Sequence, residues 1–203
     1  MARTPNEKLR KNKLKKILEN AKRVFCRKGF LDVTMQDIVD ECGISRGGIY
    51  LYFASVDELF QEVIKQRNKE KFSIIGKAVT DHESFAKVLD DYMNLQKTRL
   101  LRIEDSLFRA YCEYIFSKPK EAVQAFRDRQ LSHLRKSVLS ILMLGVSQKI
   151  IRDENIPQLA DHFIVVIDGL SVLALGAVLT QTIIDEQFAI LNGMIDRLLI
   201  KHI

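Results

Sequence analysis

The chain has 203 residues, a formal net charge of +6, 47% apolar and 29% charged side chains, which suits one or two compact domains with a real core and argues against disorder as the main state. The charge is unevenly placed: Met1–Lys28 holds eleven Lys or Arg against two Asp or Glu, whereas residues 73–203 balance sixteen against sixteen. The first third therefore suits a polyanion, or forms a solvated basic face, and the remainder has another task. Three cysteines, Cys26, Cys42 and Cys112, form no CxxC pair, a pattern of free thiols in a reducing compartment, and the start of the chain is too charged for a secretory signal.

The apolar spacing is helical almost throughout. Leu14, Ile17, Leu18, Ala21, Val24 and Phe25 recur at i, i+3, i+4 and i+7 and predict a first amphipathic helix that stops at Gly29. "TMQD" from Thr34 reads as a near capping box opening a second helix, which ends at Gly43. Ser45 caps a third, short helix running to Phe53, with Ile49 and Phe53 on its inner face. "SVDE" from Ser55 opens a fourth, reaching about Gly76. Longer helices are predicted at 83–101, 104–116 and 120–149, with a break at "SKPK". After the loop "DENIP", Pro157 starts a helix to Thr182, and a last one covers 186–203. The apolar run Phe163–Ile184 is long enough to cross a bilayer, but it contains Asp168 and no basic loop flanks it closely. It is read as a helix of a protein core or subunit interface, and no membrane partner is expected.

Thr34–Cys42 and Ser45–Phe53, joined through Gly43, make two short helices around a glycine turn, the helix-turn-helix arrangement whose second helix enters the DNA major groove. Gly47 and Gly48 fall in the first turn of that second helix. Glycine costs roughly 1 kcal/mol against alanine in a helix interior, so the pair is read as surrendering stability for a close backbone approach to a ligand surface; a flexible loop is the competing account. Free N–H groups and the positive dipole end of the turn suit a phosphate. Tyr50 and Tyr52 are candidate phosphate donors, with edge packing as the alternative. Arg46 is either a guanine reader or a phosphate clamp.

Gly43-Ile44-Ser45-Arg46-Gly47-Gly48-Ile49-Tyr50-Leu51-Tyr52-Phe53 resembles the DNA-binding signature of the TetR/AcrR family of bacterial transcriptional regulators. "ILENAKRVFCRKGF", "TMQDIVDECGIS" and "FASVDELF" resemble the flanking helices, so the likeness covers about 14–63 and not the C-terminal part. The resemblance implies an all-α homodimer: an N-terminal helix-turn-helix DNA-binding domain over 1–54 and a C-terminal helical ligand-binding and dimerisation domain over 55–203. It carries phosphate contacts onto Thr34, Tyr50 and Tyr52, and base reading onto Gln36, Ser45, Arg46 and Gly47. One departure stands out. Val56 occupies the place where many members grip phosphate with a lysine. A basic arm, Arg3, Lys8, Arg10, Lys11 and Lys13, is expected to supply that charge by tracking the backbone or entering the minor groove.

The same resemblance implies an effector pocket among the middle helices. Tyr92, Met93, Phe108, Tyr111, Cys112, Tyr114, Phe126 and Met143 are candidate lining residues, though aromatics and methionines at helical spacing also read as plain core. Arg109 and Asp168 lie in apolar settings where a charge needs a partner, within the protein or on an effector. Small residues Gly169, Ala174, Gly176 and Ala177 among leucines and valines predict a two-fold dimer through 157–182 and 186–203. No phosphate loop, HExxH or nucleophile elbow occurs, and His82, His133, His162 and His202 lack metal-like spacing. No enzyme, cofactor or metal site is expected. The expected partners are double-stranded DNA as a palindromic operator, a small-molecule effector and a second copy, in the cytoplasm. The competing reading is a helical adaptor whose basic first helix lies on an anionic membrane; a regulator without an effector is a third.

Overall fold

A computed structural model describes residues 5–81 and 83–200; Arg3 of the expected basic arm, His82 and His202 lie outside them. Among the described residues nine α-helices follow in order: α1 Pro5–Lys28, α2 Met35–Cys42, α3 Arg46–Tyr50, α4 Val56–Thr80, α5 Phe85–Leu101, α6 Phe108–Phe116, α7 Lys120–Ser147, α8 Ile156–Leu175 and α9 Gln181–Asp196, with a 3-10 turn at Ile103–Asp105. Among the described residues there is no strand, and one antiparallel bridge joins Ile151 to Leu199. The all-helical expectation holds, and the chain divides into two compact units: one reaching to Lys69 together with Glu104–Gln124, the other Glu70–Ile103 with Ala125–Ile203.

The first unit is built on α1. Ile17, Leu18, Ala21, Val24 and Phe25, the predicted stripe, are buried together with Ile38 and Val39 of α2 and Ile49 of α3. Four rings, Phe25, Phe30, Phe60 and Tyr114, close the core, with the Phe30 and Tyr114 centroids 4.9 Å apart edge to face and Phe25 and Phe60 likewise 4.9 Å apart. Such pairs add about 0.5–1.5 kcal/mol beyond their area burial. Gln61 donates through Nε2 to the Tyr114 hydroxyl at 2.8 Å, so the one polar tip in the cluster is satisfied. Lys118 lies over the Phe30 and Tyr114 rings and pairs with Asp57.

Local stops are chemically explicit. Gly29 ends α1 at φ +82° and Gly43 ends α2 at φ +62°, both in the left-handed region that favours glycine. Thr34 caps α2 as a full capping box with Asp37. Ser55 caps α4 by accepting from the Glu58 N–H at 3.2 Å, and the Glu58 carboxylate accepts from the Ala54 N–H, one residue before the cap.

In the second unit α5, α8 and α9 share a core of Phe85, Val88, Met93 and Leu100 against Phe163, Ile164, Ile167, Ile184, Phe188 and Leu191. Lys97 reaches Asp185 at 2.7 Å and Arg99 donates to the Ser171 hydroxyl at 2.8 Å. The Gln148 amide accepts from the Phe85 N–H and donates to the Glu83 carbonyl, both at 2.8 Å, which pins the start of α5.

Several predicted boundaries shift. The segment before Leu14 is already helical from Pro5, so Lys8, Arg10, Lys11 and Lys13 stand on α1 and not on an extended arm. The third helix stops at Tyr50, before Phe53, and the fourth runs past Gly76 to Thr80. The sixth begins at Phe108, because residues 103–105 form the tighter 3-10 turn. The apolar run 157–182 is broken: Gly176 closes α8, Ala177 turns at φ +55°, the Val178 N–H returns to the Leu173 carbonyl at 3.3 Å, and Thr180 caps α9 by accepting from the Ile183 N–H. The chain leaves α9 at Asp196 to pair its backbone instead, with Arg152 N–H to the Leu198 carbonyl and Ile200 N–H to the Ile150 carbonyl, each 2.9 Å.

Candidate nucleic-acid interface

The first unit presents α2, the turn at Gly43 and α3 with their apolar faces buried and Thr34, Gln36, Asp40, Ser45, Arg46, Gly47 and Tyr50 exposed; Gly48 and Tyr52 are half-buried. Ser45 caps α3 through its side chain, which accepts from the Gly48 N–H at 3.1 Å. The Gly-Gly pair is therefore helical and not a loose loop. Neither glycine has a positive φ, and a Cβ built on Gly47 meets nothing within 4 Å, while one on Gly48 would come within 3.1 Å of Ser45 Oγ. Nothing inside the protein requires glycine at 47. The Arg46 guanidinium stands 5.8 Å from the Tyr50 ring centroid, a cation–π distance that orders the two exposed side chains together. Leu51, between the tyrosines, is 78% exposed; the sequence reading attached no role to it.

Thr34 is committed to its cap. Its hydroxyl lies 2.8 Å from Asp37 Oδ2, and a carboxylate only accepts, so the single hydroxyl proton goes there. A phosphate contact by that hydroxyl competes with the capping box. The Lys28 ammonium at 2.7 Å, reinforced by the Thr34 N–H and hydroxyl, pulls the Asp37 carboxyl down to about 2. In an unfolded chain the same group titrates near 3.9, so its stabilisation is complete above that pH and is lost as pH falls from about 4 towards 2. We expect thermal unfolding followed against pH to show this acid-side loss, and Asp37→Asn to flatten it while lowering stability at neutral pH.

Glu41 accepts from Arg23 at 3.2 Å and Arg27 at 2.9 Å, so three cations of the basic α1, Arg23, Arg27 and Lys28, fasten α2. Lys8, Arg10 and Lys13 are exposed further along the helix, and Lys11 pairs with Glu7 at 3.6 Å.

The residue that sequence reasoning missed is Glu113. From α6 its carboxylate accepts from the Phe30 N–H at 2.5 Å, the Leu31 N–H at 3.1 Å and Arg109 Nε at 2.7 Å. Burial acts to raise its carboxyl, and the donors of Leu31, Phe30 and Arg109 outweigh that and hold it below its ordinary value. Arg109, a pocket candidate, thus has a partner four residues along its own helix. The only signal in the sequence is the i, i+4 spacing of the pair.

The other pocket candidates divide between the two units. Phe108, Arg109, Tyr111 and Cys112 belong to the first unit; Tyr92, Met143 and Asp168 belong to the second. Arg109 lines a cleft of about 680 Å³ whose walls, Glu19, Lys22, Arg23, Cys26, Arg27, Glu104 and Asp105, carry both signs of charge. Met143 is 45% exposed, and Met93, Tyr114 and Phe126 are buried core. In the second unit Tyr92, Arg99 and Asp168 interact: burial raises the Tyr92 hydroxyl and lowers Arg99, and Asp168 opposes the loss of charge on Arg99. Of the small residues, Gly169, Gly176 and Ala177 are exposed, whereas Ala174 is spent on the protomer's own core. The three cysteines form no disulfide and are half-buried. Helix α8 is long and apolar enough to cross a membrane by length and composition, and eight of its residues are buried within the chain.

A helix-turn-helix beside a basic α1, followed by an all-helical remainder, defines the class: an all-α protein with an N-terminal helix-turn-helix. Residues 17–63 match the family model described as bacterial regulatory proteins, tetR family, and in this segment the chain is similar to TetR-family transcriptional regulators. It is 32% identical over 133 residues to the HTH-type transcriptional regulator YfiR of Bacillus subtilis, covering 65% of this chain and 64% of that one. It is 45% identical over 47 residues to YerO of the same organism, 23% of this chain and 16% of that one. The chain thus spans under two thirds of the length of these relatives. Among solved structures, a regulator from Saccharomonospora viridis in complex with choline matches with TM-score 0.70 at 21% identity, over 95% of this chain and 100% of that one. A TetR-family regulator from Agrobacterium tumefaciens matches with TM-score 0.69 at 19% identity, over 94% and 99%. The named relatives are described as HTH-type transcriptional regulators.

Proposed function

We propose that the protein is a homodimeric transcriptional repressor that binds a palindromic operator through its first unit and is released by a small-molecule effector. The observation that carries the reading is the exposed Gln36, Ser45, Arg46, Gly47 and Tyr50 on a capped helix-turn-helix whose buried faces are complete. Arg46 reads or clamps, Tyr50 and Tyr52 donate to phosphates, and Lys8, Arg10 and Lys13 add charge along α1. DNA binding is assigned to 1–54 and the effector and dimer functions to 55–203, in a cytoplasmic protein.

The dimer runs through α8 and α9. Val165, Gly169 and Val172 are exposed at i, i+4 and i+7 on α8, and Leu173, Ile183 and Ile190 add apolar surface, with Val165 69% and Val172 59% accessible. Such a stripe needs a cover, and a two-fold copy supplies the same stripe in return. The effector pocket is placed in the second unit, with Tyr92 and Asp168 as its polar contacts; the choline-bound neighbour shows that a protein of this fold holds a small molecule. Effector binding then favours a dimer whose recognition helices no longer match major grooves about 34 Å apart.

The test is sedimentation with selection from random duplexes. We expect a dimer at micromolar concentration that enriches a palindrome and binds with a steep salt slope, and a folded monomer with weakened operator binding for Val165→Glu/Val172→Glu. A monomeric native protein, or sequence-blind binding, overturns the reading.

A further inference from the structure

Gln36 and Asp40 stand one turn apart on the exposed side of α2, and Gln36 Nε2 donates to Asp40 Oδ1 at 2.8 Å. Their neighbours on the helix have other tasks: Asp37 holds the capping box and Lys28, Glu41 holds Arg23 and Arg27, and Ile38 and Val39 are buried. Asp40 makes no ion pair among the described ones. Its side-chain partner is the Gln36 amide, which the resemblance places at a base-reading position.

We propose that Asp40 is a positioning residue for base specificity: it orients the Gln36 amide so that Gln36 selects adenine in each half-site. The inference rests on the DNA-binding reading above. A carboxylate accepts only, so it dictates which end of the amide faces it: the nitrogen. The amide nitrogen has two hydrogens. In the proposed arrangement the one directed away from Oε1 goes to Asp40, which leaves Oε1 and the hydrogen beside it as a free edge. That edge is the donor–acceptor pair that meets adenine, Oε1 accepting from N6 and the N–H donating to N7. Guanine offers two acceptors, N7 and O6, along the same edge; Oε1 would face O6, and the nearby carboxylate adds repulsion. Thymine offers only the O4 acceptor and cytosine only the N4–H2 donor, so each meets one of the two groups on that edge where adenine meets both. With Asp40 absent the amide turns about its last bond, and both of its ends become available to a base.

Two physical consequences separate this from a plain surface hydrogen bond. First, the effect is confined to one base position, because phosphate contacts carry no sequence information. Second, removing a negative charge beside DNA leaves the electrostatic part of binding unchanged or slightly stronger, so specificity falls without a loss of non-specific affinity.

Selection from random duplexes by the native protein, Gln36→Ala, Asp40→Ala and Asp40→Asn tests it, with thermal unfolding as the control for folding. Gln36→Ala identifies the position that Gln36 reads, and we expect adenine there. We expect the native adenine preference at that position to be tenfold or more, to fall at least several-fold in Asp40→Ala and Asp40→Asn, and every other position to be unchanged. Enrichment of a palindrome whose Gln36-dependent position is not adenine overturns the proposal and leaves the DNA-binding reading standing. So does an adenine preference indifferent to both Asp40 variants. Failure of the native protein to enrich any sequence overturns the DNA-binding reading itself, and the proposal with it.

Discussion

Gly29→Ala is expected to lower the stability of the first unit by about 3 kcal/mol, from two costs that add. The φ of +82° charges any residue with a Cβ roughly 1–2 kcal/mol. The new Cβ would also overlap the Glu113 carboxylate. If the carboxylate withdraws, the N–H groups of Phe30 and Leu31 and the guanidinium of Arg109 lose their acceptor, and an unmet buried donor costs about 1–3 kcal/mol. The urea midpoint should fall accordingly. Glu113→Ala alone should cost the carboxylate interaction without the strain, and the double variant should cost less than the sum of the two, because alanine at 113 removes the clash. Strict additivity would mean that the two residues do not meet. Operator affinity should weaken in all three variants, since Glu113 fixes the turn that leads into Val33 and the Thr34 cap of α2.

That lock shows what a sequence exposes and what it hides. The stop at Gly29, the capping box at Thr34, the turn at Gly43 and the cap at Ser45 all depend on residues within a few positions of one another, and each was legible. So was the buried stripe of α1, because helical periodicity is a local property. Glu113 meets Phe30 across more than eighty positions, and no spacing rule reaches that far. Arg109 stands out in the sequence as a charge in an apolar setting, but its tie to Glu113 does not, because Glu113 takes the backbone of another segment as its main partner. The break between α8 and α9 was hidden for a different reason. Gly176 and Thr180 are ordinary stop and start signals, but hydrophobicity is continuous across them, and the run was read as one helix. The exchange of backbone hydrogen bonds between 150–152 and 198–200 pairs two short ends that carry no strand pattern of their own.

Gly47 should separate stability from function more cleanly than any other position. It lies inside α3 at a negative φ with open space where a Cβ would stand, so alanine there avoids strain and clash. Alanine is also the better helix former, by about 0.5–1 kcal/mol. Gly47→Ala is therefore expected to leave the urea midpoint unchanged or raised. A larger side chain, as in Gly47→Leu, adds exposed apolar surface without touching the core. Both variants carry matter outward from the first turn of the recognition helix, into the space that a DNA surface fills when the backbone approaches closely. Operator affinity, followed by fluorescence anisotropy at fixed salt, should fall roughly tenfold for alanine and a hundredfold or more for leucine, the larger figure matching about 2.7 kcal/mol. Equal affinity across glycine, alanine and leucine would mean that α3 does not approach DNA through this turn. A destabilised alanine variant would mean that the glycine serves the fold after all. Gly48 gives the internal contrast: its Cβ would press on the Ser45 hydroxyl that caps the helix, so Gly48→Ala should lose stability along with binding, and only position 47 keeps the two apart.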